Sequence, residues 1–276
     1  MKNLLAHFIF QREMARVNHD KGGRPPFCED PIINTYRFCN VRREDDKVTR
    51  WLKKNWRDPH IGHSNMTGAM LLARMVNWPP TLAAIGFPEE WKPDEVADKI
   101  RAVRGKMWSS AYMITTCGKK MDKVDYVVGK ADEVMTGCNI KPVPGMTLNL
   151  LWQRLCTIDG LGAGFIAAQV IADLKYSDPY AEAAPDWWTF AVPGPGSRRG
   201  VNRYFKFGLN EKLSDLEWTR HLRRIINDVE PLVNLEPRLH AQDWQNVMCE
   251  FDKYVRARTG EGRPRARYKA QTDYTI

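Results

Sequence analysis

The stretch Leu155-Cys156-Thr157-Ile158-Asp159-Gly160-Leu161-Gly162-Ala163-Gly164-Phe165-Ile166-Ala167-Ala168-Gln169-Val170-Ile171 is the most informative part of the chain. Apolar residues recur at helical spacing on both sides of a run carrying Gly160, Gly162 and Gly164. Glycine adopts positive φ without penalty and lets two backbones approach closely. The pattern therefore predicts two short apolar helices, over 147–156 and 165–174, joined by a tight turn, with Leu161 filling the space between them. The turn delivers the chain into a helix start, where unpartnered N–H groups suit a phosphate. A packing-only helical hairpin would use the same glycines; the basic composition of the chain favours the phosphate-binding version.

Helical periodicity continues outward from the hairpin. Residues 34–56 place Phe38, Val41, Val48 and Leu52 on one face, with Asp45 inside that stripe and Arg37, Asn40 and Glu44 along one edge. Further helices are predicted at 64–76, from Pro93 to about Gly105, from the Ser214 cap through 228, and over 242–258. The last has a Trp244, Val247, Met248, Phe251 and Val255 stripe, with Asp243, Glu250 and Tyr254 along one edge. Only 107–116 reads as strand or irregular. The segment 178–204, rich in Pro and Gly, reads as a long functional loop. The expected class is all-α, one domain over 1–276, built from two helical lobes around a cleft.

The 276 residues carry 42 Lys and Arg against 33 Asp and Glu, a net charge of +9. The segment 253–269 holds seven basic residues against the single Glu261, so much of the excess sits there. Such a cluster attracts polyphosphates through counterion release; a solvated basic tail has the same composition. No apolar run approaches ~20 residues, so no membrane span is expected, and the chain reads as soluble and intracellular. Cysteines at 28, 39, 117, 138, 156 and 249 form no Cys-x-x-Cys pair, which gives a zinc or iron–sulfur site no support. No Gly-x-x-x-x-Gly-Lys-Ser/Thr loop occurs, so this chain is not expected to be a P-loop kinase.

The hairpin at 148–174 resembles the helix-hairpin-helix of DNA repair glycosylases. That resemblance implies a DNA-binding turn at Gly160, Gly162 and Gly164 and a catalytic carboxylate some two dozen residues further on. Asp186, in Ala184-Pro185-Asp186-Trp187-Trp188, is the best-placed acid; Asp173, Asp178 and Glu182 are alternatives. No lysine lies between Asp159 and Ile171, which argues against Schiff-base strand cleavage. Three more motifs narrow the resemblance: Tyr36-Arg37-Phe38-Cys39-Asn40-Val41-Arg42-Arg43-Glu44; Pro193-Gly194-Pro195-Gly196-Ser197-Arg198-Arg199-Gly200-Val201-Asn202-Arg203; and Cys249-Glu250-Phe251-Asp252-Lys253-Tyr254, followed by Gly260-Glu261-Gly262-Arg263-Pro264-Arg265. In this order, across about 34–268, they look like the α-glutamyl/putrescinyl thymine pyrophosphorylases of bacteriophages, amino acid:DNA transferases that hypermodify thymine.

The resemblance implies a reaction on double-stranded DNA in the cytoplasm of an infected host. A kinase first pyrophosphorylates 5-hydroxymethyluracil. An amine, from an amino acid or polyamine, then displaces pyrophosphate at the 5-methylene. The target base must leave the stack. The departing pyrophosphate needs cations, and Arg198, Arg199 and Arg203 are the candidates, with Gly194, Gly196 and Gly200 opening the backbone around it. A carboxylate must take a proton from the attacking ammonium or stabilise a cationic 5-carbon; Asp186 is the first candidate, then Glu250, with Asn40 as a polar partner. Arg263 and Arg265 are expected on DNA. Arg37, Arg43, Asn202, Lys253 and Tyr254 complete the candidate set. An interhelix salt bridge or hydrogen bond is the competing explanation for each of them. No metal and no cofactor is expected, save a monovalent cation that the hairpin could hold. The alternatives are a monofunctional glycosylase that excises a modified base and a non-catalytic DNA-binding partner of another enzyme.

Overall fold

The computed structural model describes residues 1–112, 114–137, 140–262 and 267. Its helices are α1 (Lys2–Asp20), α2 (Pro31–Thr35), α3 (Lys47–Leu52), α4 (Met66–Val76), α5 (Pro79–Ile85), α6 (Pro93–Ala102), α7 (Lys123–Thr136), α8 (Leu148–Cys156), α9 (Phe165–Leu174), α10 (Pro179–Glu182), α11 (Pro195–Phe205), α12 (Asp215–Val233) and α13 (Ala241–Thr259). The protein is all-α; among the described residues β-pairing is limited to one isolated bridge, Tyr36 with Arg267. No described helix is long and apolar enough to cross a membrane. The chain divides into two compact units, one holding Met1–Asp46 and the described residues from Ala191 onward, the other Lys47–Phe190.

The first unit packs α1, α2, α11, α12 and α13 around the fully buried Trp218, Trp244, Phe251 and Tyr254. Phe8 of α1 meets Phe38 at 5.6 Å and Tyr254 at 5.0 Å between ring centroids. Local signals set the ends. Ser214 and Glu217 form a reciprocal capping box at the start of α12, and Pro195 opens α11 at its first turn. The second unit centres on α4, every residue of which is buried, packed against α7 and α9. Arg74 is the one charged side chain of that helix. It and Arg57 meet Asp173 of α9 in a buried ion cluster, with Arg74 at 2.6 Å and Arg57 at 3.3 Å. A guanidinium in such a core requires this kind of partner.

Several expectations fail. Residues 34–56 are not one helix: the chain ends α2 at Thr35, runs extended through Asn40, makes a 3-10 turn at Arg43–Asp45 and resumes helix at Lys47. The cause is competition for backbone N–H groups. Asp46 accepts from the Asn40 amide, Glu250 from that of Cys39 and Asp243 from that of Arg43. Asp45 therefore lies in no apolar stripe; it pairs with Arg16 at 3.1 Å. The edge expected for Arg37, Asn40 and Glu44 dissolves with the helix. The segment 178–204 is not a loop throughout, since α10 and α11 lie in it. Helices α1, α5 and α7 are not among the helices that the periodicity predicts. Residues 107–112 and 114–116 are irregular.

The hairpin forms where expected, with α8 and α9 flanking the turn and Leu161 3% exposed. Gly160 and Gly164 adopt φ +86° and +74°. Gly162 does not adopt positive φ, and a Cβ there would meet nothing closer than 3.8 Å. The strained corners of the turn are thus the outer two glycines.

Candidate functional site

The three outlying motifs fold together in the first unit. On α11, Gly196 and Gly200 face α13 so closely that an added Cβ would sit 2.3 Å from the Cys249 sulfur and 2.0 Å from the Met248 carbonyl oxygen. These glycines serve close helix packing, not an open cradle of loop amides. The arginines expected on a glycine-rich loop are helical residues. Arg198 donates to the Leu213 carbonyl and to Asp215, tying α11 to the start of α12. Arg199 and Arg203 lie one turn apart and both reach Asp252 of α13, at 3.0 and 2.7 Å. Arg256, one turn beyond Asp252, approaches it at 3.5 Å, and Glu261 holds Arg203 at 2.6 Å.

The side chain of Asp252 is only 1% exposed, while those of Arg199 and Arg256 stay 36% and 38% exposed. One carboxylate thus anchors three guanidinium groups, two of which present positive charge to solvent. The glutamate contact holds Arg203 more firmly protonated than an ordinary arginine, against the cost of burial. Asn202 is buried and spends its amide nitrogen on the carbonyls of Leu209 and Glu211.

A second cluster adjoins it through α13. Glu250 accepts from the Cys39 amide at 3.0 Å and pairs with Lys253 at 2.5 Å; the Lys253 ammonium also lies 4.9 Å from the centroid of the Phe38 ring. Asn40 accepts from Arg12 and donates to the Asp45 carbonyl at 2.7 Å, while Asn246 holds the Asn40 carbonyl at 3.1 Å. The negative charge of Glu250 pushes the thiol of the exposed Cys39 above its usual range. Burial, then Glu250, raises Cys249 to about 11. Both shifts favour the protonated thiol. The Tyr254 hydroxyl donates to Asp30 at 2.7 Å. Arg37 is exposed, and Arg43 presents its backbone amide to Asp243. Arg263 and Arg265 lie outside the described residues, as does most of 253–269 beyond Gly262.

Asp186 belongs to the second unit. Its two oxygens accept from the amides of Leu148 at 2.7 Å and Asn149 at 3.0 Å, at the positive end of α8. Thr147 adds the side-chain cap to Leu150. The residue that follows the hairpin by two dozen positions therefore holds the hairpin's first helix in place. Of the alternatives, Asp173 is the hub of the buried ion cluster. Asp178 caps α10, with burial raising its pKa. Glu182 is exposed at the end of α10.

Asp252 and Arg12 carry no role in the sequence-based expectations, and Arg256 enters them only as one of the basic residues of 253–269. Asp252 lay inside a quoted motif, and its signal was spacing: Arg199 with Arg203, and Asp252 with Arg256, each four apart.

The comparisons with known proteins agree on one family. The family described as "5-hmdU DNA kinase, helical domain" matches residues 1–263. The 5-hmdU DNA kinase of Bacillus phage SP10 is 22% identical over 214 residues, which cover 67% of this chain and 33% of that protein. The match thus spans about a third of that relative's length. No solved structure matches. With nearly its whole length covered by the family match, this chain belongs to the 5-hmdU DNA kinase helical-domain family.

Proposed function

We propose that the chain captures 5-hydroxymethyluracil, or its pyrophosphorylated form, in phage DNA and serves the hypermodification of thymine. The observation that carries this reading is the convergence of the three separated motifs in one unit: 36–44, 193–203 and 249–254 pack together around Glu250 and Asp252. The family match supports the base, since the relative's name gives 5-hmdU in DNA as its substrate. A glycosylase-like hairpin in the second unit holds DNA phosphate through the start of α9.

The finer reading is amine transfer with loss of pyrophosphate. The amine nitrogen forms a bond to the 5-methylene carbon, the carbon–oxygen bond to pyrophosphate breaks, and the ammonium proton goes to a carboxylate. Arg199 and Arg256 meet the leaving group, with Arg203 held behind them by Asp252 and Glu261. Glu250 is the carboxylate of this unit; Asp186 is the candidate of the other. A second reading is favoured by the relative's name. There the chain is the DNA-holding lobe of a kinase whose phosphate-transfer loop lies outside these 276 residues.

The test is nucleoside mass analysis of 5-hydroxymethyluracil DNA after treatment with the protein and ATP, with and without a separate 5-hmdU kinase and candidate amines. An amine adduct on an intact nucleotide supports transfer. Phosphorylation that needs the added kinase but is stimulated by the chain, with no amine adduct, supports the kinase lobe and overturns transfer as the chain's own chemistry. Free base with abasic sites would establish the glycosylase instead. Equal affinity for thymine and 5-hydroxymethyluracil duplexes, with no product, would overturn the proposal.

A further inference from the structure

The second unit contains a cavity of about 250 Å³ beside the hairpin. One wall is the hairpin turn, from Gly160 to Ile166; the other is formed by Tyr112, Ile114, Thr115, Cys117 and Tyr126. The turn is pressed onto this wall: a Cβ on Gly160 would lie 2.0 Å from the Tyr126 hydroxyl. Phe165, the first residue of α9, is 50% exposed and meets Tyr112 edge to face at 5.0 Å. An exposed phenyl ring at a helix start leaves one aromatic face available for a flat partner. Directly before it, Gly164 caps α9 in the left-handed conformation and supplies no side-chain hydrogen bond. The first amides of this ten-residue helix therefore lack a side-chain cap and point out of its N-terminus.

We infer that this cavity is a binding site for a single unstacked pyrimidine nucleotide, with the base between the hairpin and Tyr112–Tyr126 and the phosphate on the N-terminus of α9. The choice of 5-hydroxymethyluracil as the preferred base rests on the function proposed above; the site itself rests on the cavity. Three features select the ligand class. The volume is below the ~300–1,000 Å³ of pockets for larger ligands, so it suits one ring. The lining is aromatic and apolar, which favours a flat base through stacking. The polar groups are few: the Thr115 hydroxyl, which accepts from the Cys117 amide at 3.4 Å, and the Tyr126 hydroxyl, which donates to the Cys117 sulfur at 3.4 Å. A hydroxyl has one proton to give and two lone pairs, so Thr115 keeps its proton for a pyrimidine carbonyl, while Tyr126, whose proton goes to Cys117, can accept from a pyrimidine N–H. A phosphate is favoured at the helix start by the dipole and the free amides.

The experiment titrates the full chain, labelled in its aromatic rings, with 5-hydroxymethyl-2′-deoxyuridine 5′-monophosphate and follows the rings by NMR. Deoxyribose 5-phosphate and dAMP are the comparison ligands. Duplex affinity is measured separately. The expected result is movement of the Tyr112, Tyr126 and Phe165 signals, with binding at least tenfold weaker for either comparison ligand. Thr115→Trp, which fills the cavity, abolishes mononucleotide binding and leaves affinity for unmodified duplex in place. Phe165→Ala weakens the mononucleotide roughly tenfold or more through lost stacking, which keeps the test sound should Thr115→Trp misfold. Silent rings, equal binding of deoxyribose 5-phosphate or dAMP, or full binding by both variants would overturn the site. Duplex binding with silent rings would remove the pocket and leave the DNA function standing. Mononucleotide in the pocket without duplex binding would do the reverse.

Discussion

Two buried aspartates, one in each unit, gather arginines in different ways. Asp173 lies at the centre of the second unit with Arg57 and Arg74, whose side chains are 0% and 3% exposed. Asp252 lies under the surface of the first unit with Arg199, Arg203 and Arg256, two of which are more than a third exposed. Charge composition is similar, but burial is not. Around Asp173 every charge is desolvated, so the cluster is justified only by mutual pairing and holds α4 and α9 together. Around Asp252 the carboxylate organises guanidinium groups whose outer ends still meet solvent, an arrangement that receives an anion without rebuilding the core. Ion pairing alone would not have told a structural cluster from a binding surface; the exposure of the cationic partner does.

The comparison breaks most sharply at Asp173. Asp173→Ala should destabilise the protein by about 3–5 kcal/mol, because two buried guanidinium groups lose their counter-charge. Denaturant unfolding checks this, and a loss under about 1 kcal/mol would mean that water or another group replaces the carboxylate. Next is the crossing that carries the Asp252 cluster. Gly200→Ala should cost about 1–3 kcal/mol, since the new Cβ meets Met248 backbone at 2.0 and 2.8 Å. Gly162→Ala, with nothing closer than 3.8 Å, should leave stability nearly unchanged.

Asp186→Ala should cost about 1 kcal/mol through loss of its contacts at the start of α8. Unaltered stability would free Asp186 from a structural role and strengthen its candidacy as a general base. Arg199→Ala and Arg256→Ala should change stability by no more than about 1 kcal/mol each. In exchange they should lower the salt dependence of DNA affinity, by about 0.9 in slope for each phosphate contact removed. An unchanged slope would reduce the Asp252 cluster to the same structural kind as the Asp173 cluster.

At neutral pH one further effect is silent and appears only at high pH. Cys249 is raised from 9.0 to about 11, mainly by burial. The folded state holds this proton more tightly than the unfolded one, so the contribution is fully present below pH 9 and is lost as pH rises through about 11. Urea midpoints at pH 8 and pH 11 should converge in Cys249→Ser relative to wild type. An identical pH dependence in the two proteins would contradict the burial of this thiol against α11.

The parts of the fold legible in the sequence are those whose causes are local. The hairpin boundaries, the Ser214 cap and the apolar stripe of α13 follow from periodicity, capping and glycine chemistry within a few residues. The candidate site was legible as a set of motifs but not as an arrangement. Arg199, Glu250 and Asn40 stand out by motif, whereas Asp252 becomes an anchor only when α11 packs on α13. The helix predicted over 34–56 is broken by carboxylates of Glu250 and Asp243, some two hundred residues away, which take the amides of Cys39 and Arg43. Gly196 and Gly200 read as loop composition because their partner, the backbone of α13, is equally remote. Local hydrogen bonding and periodicity depend on neighbours in the chain, so sequence alone determined the all-α class and the hairpin. Which backbone amides are claimed by distant carboxylates, and which arginines keep a face to solvent, depends on packing between segments far apart, and only the tertiary structure decided those.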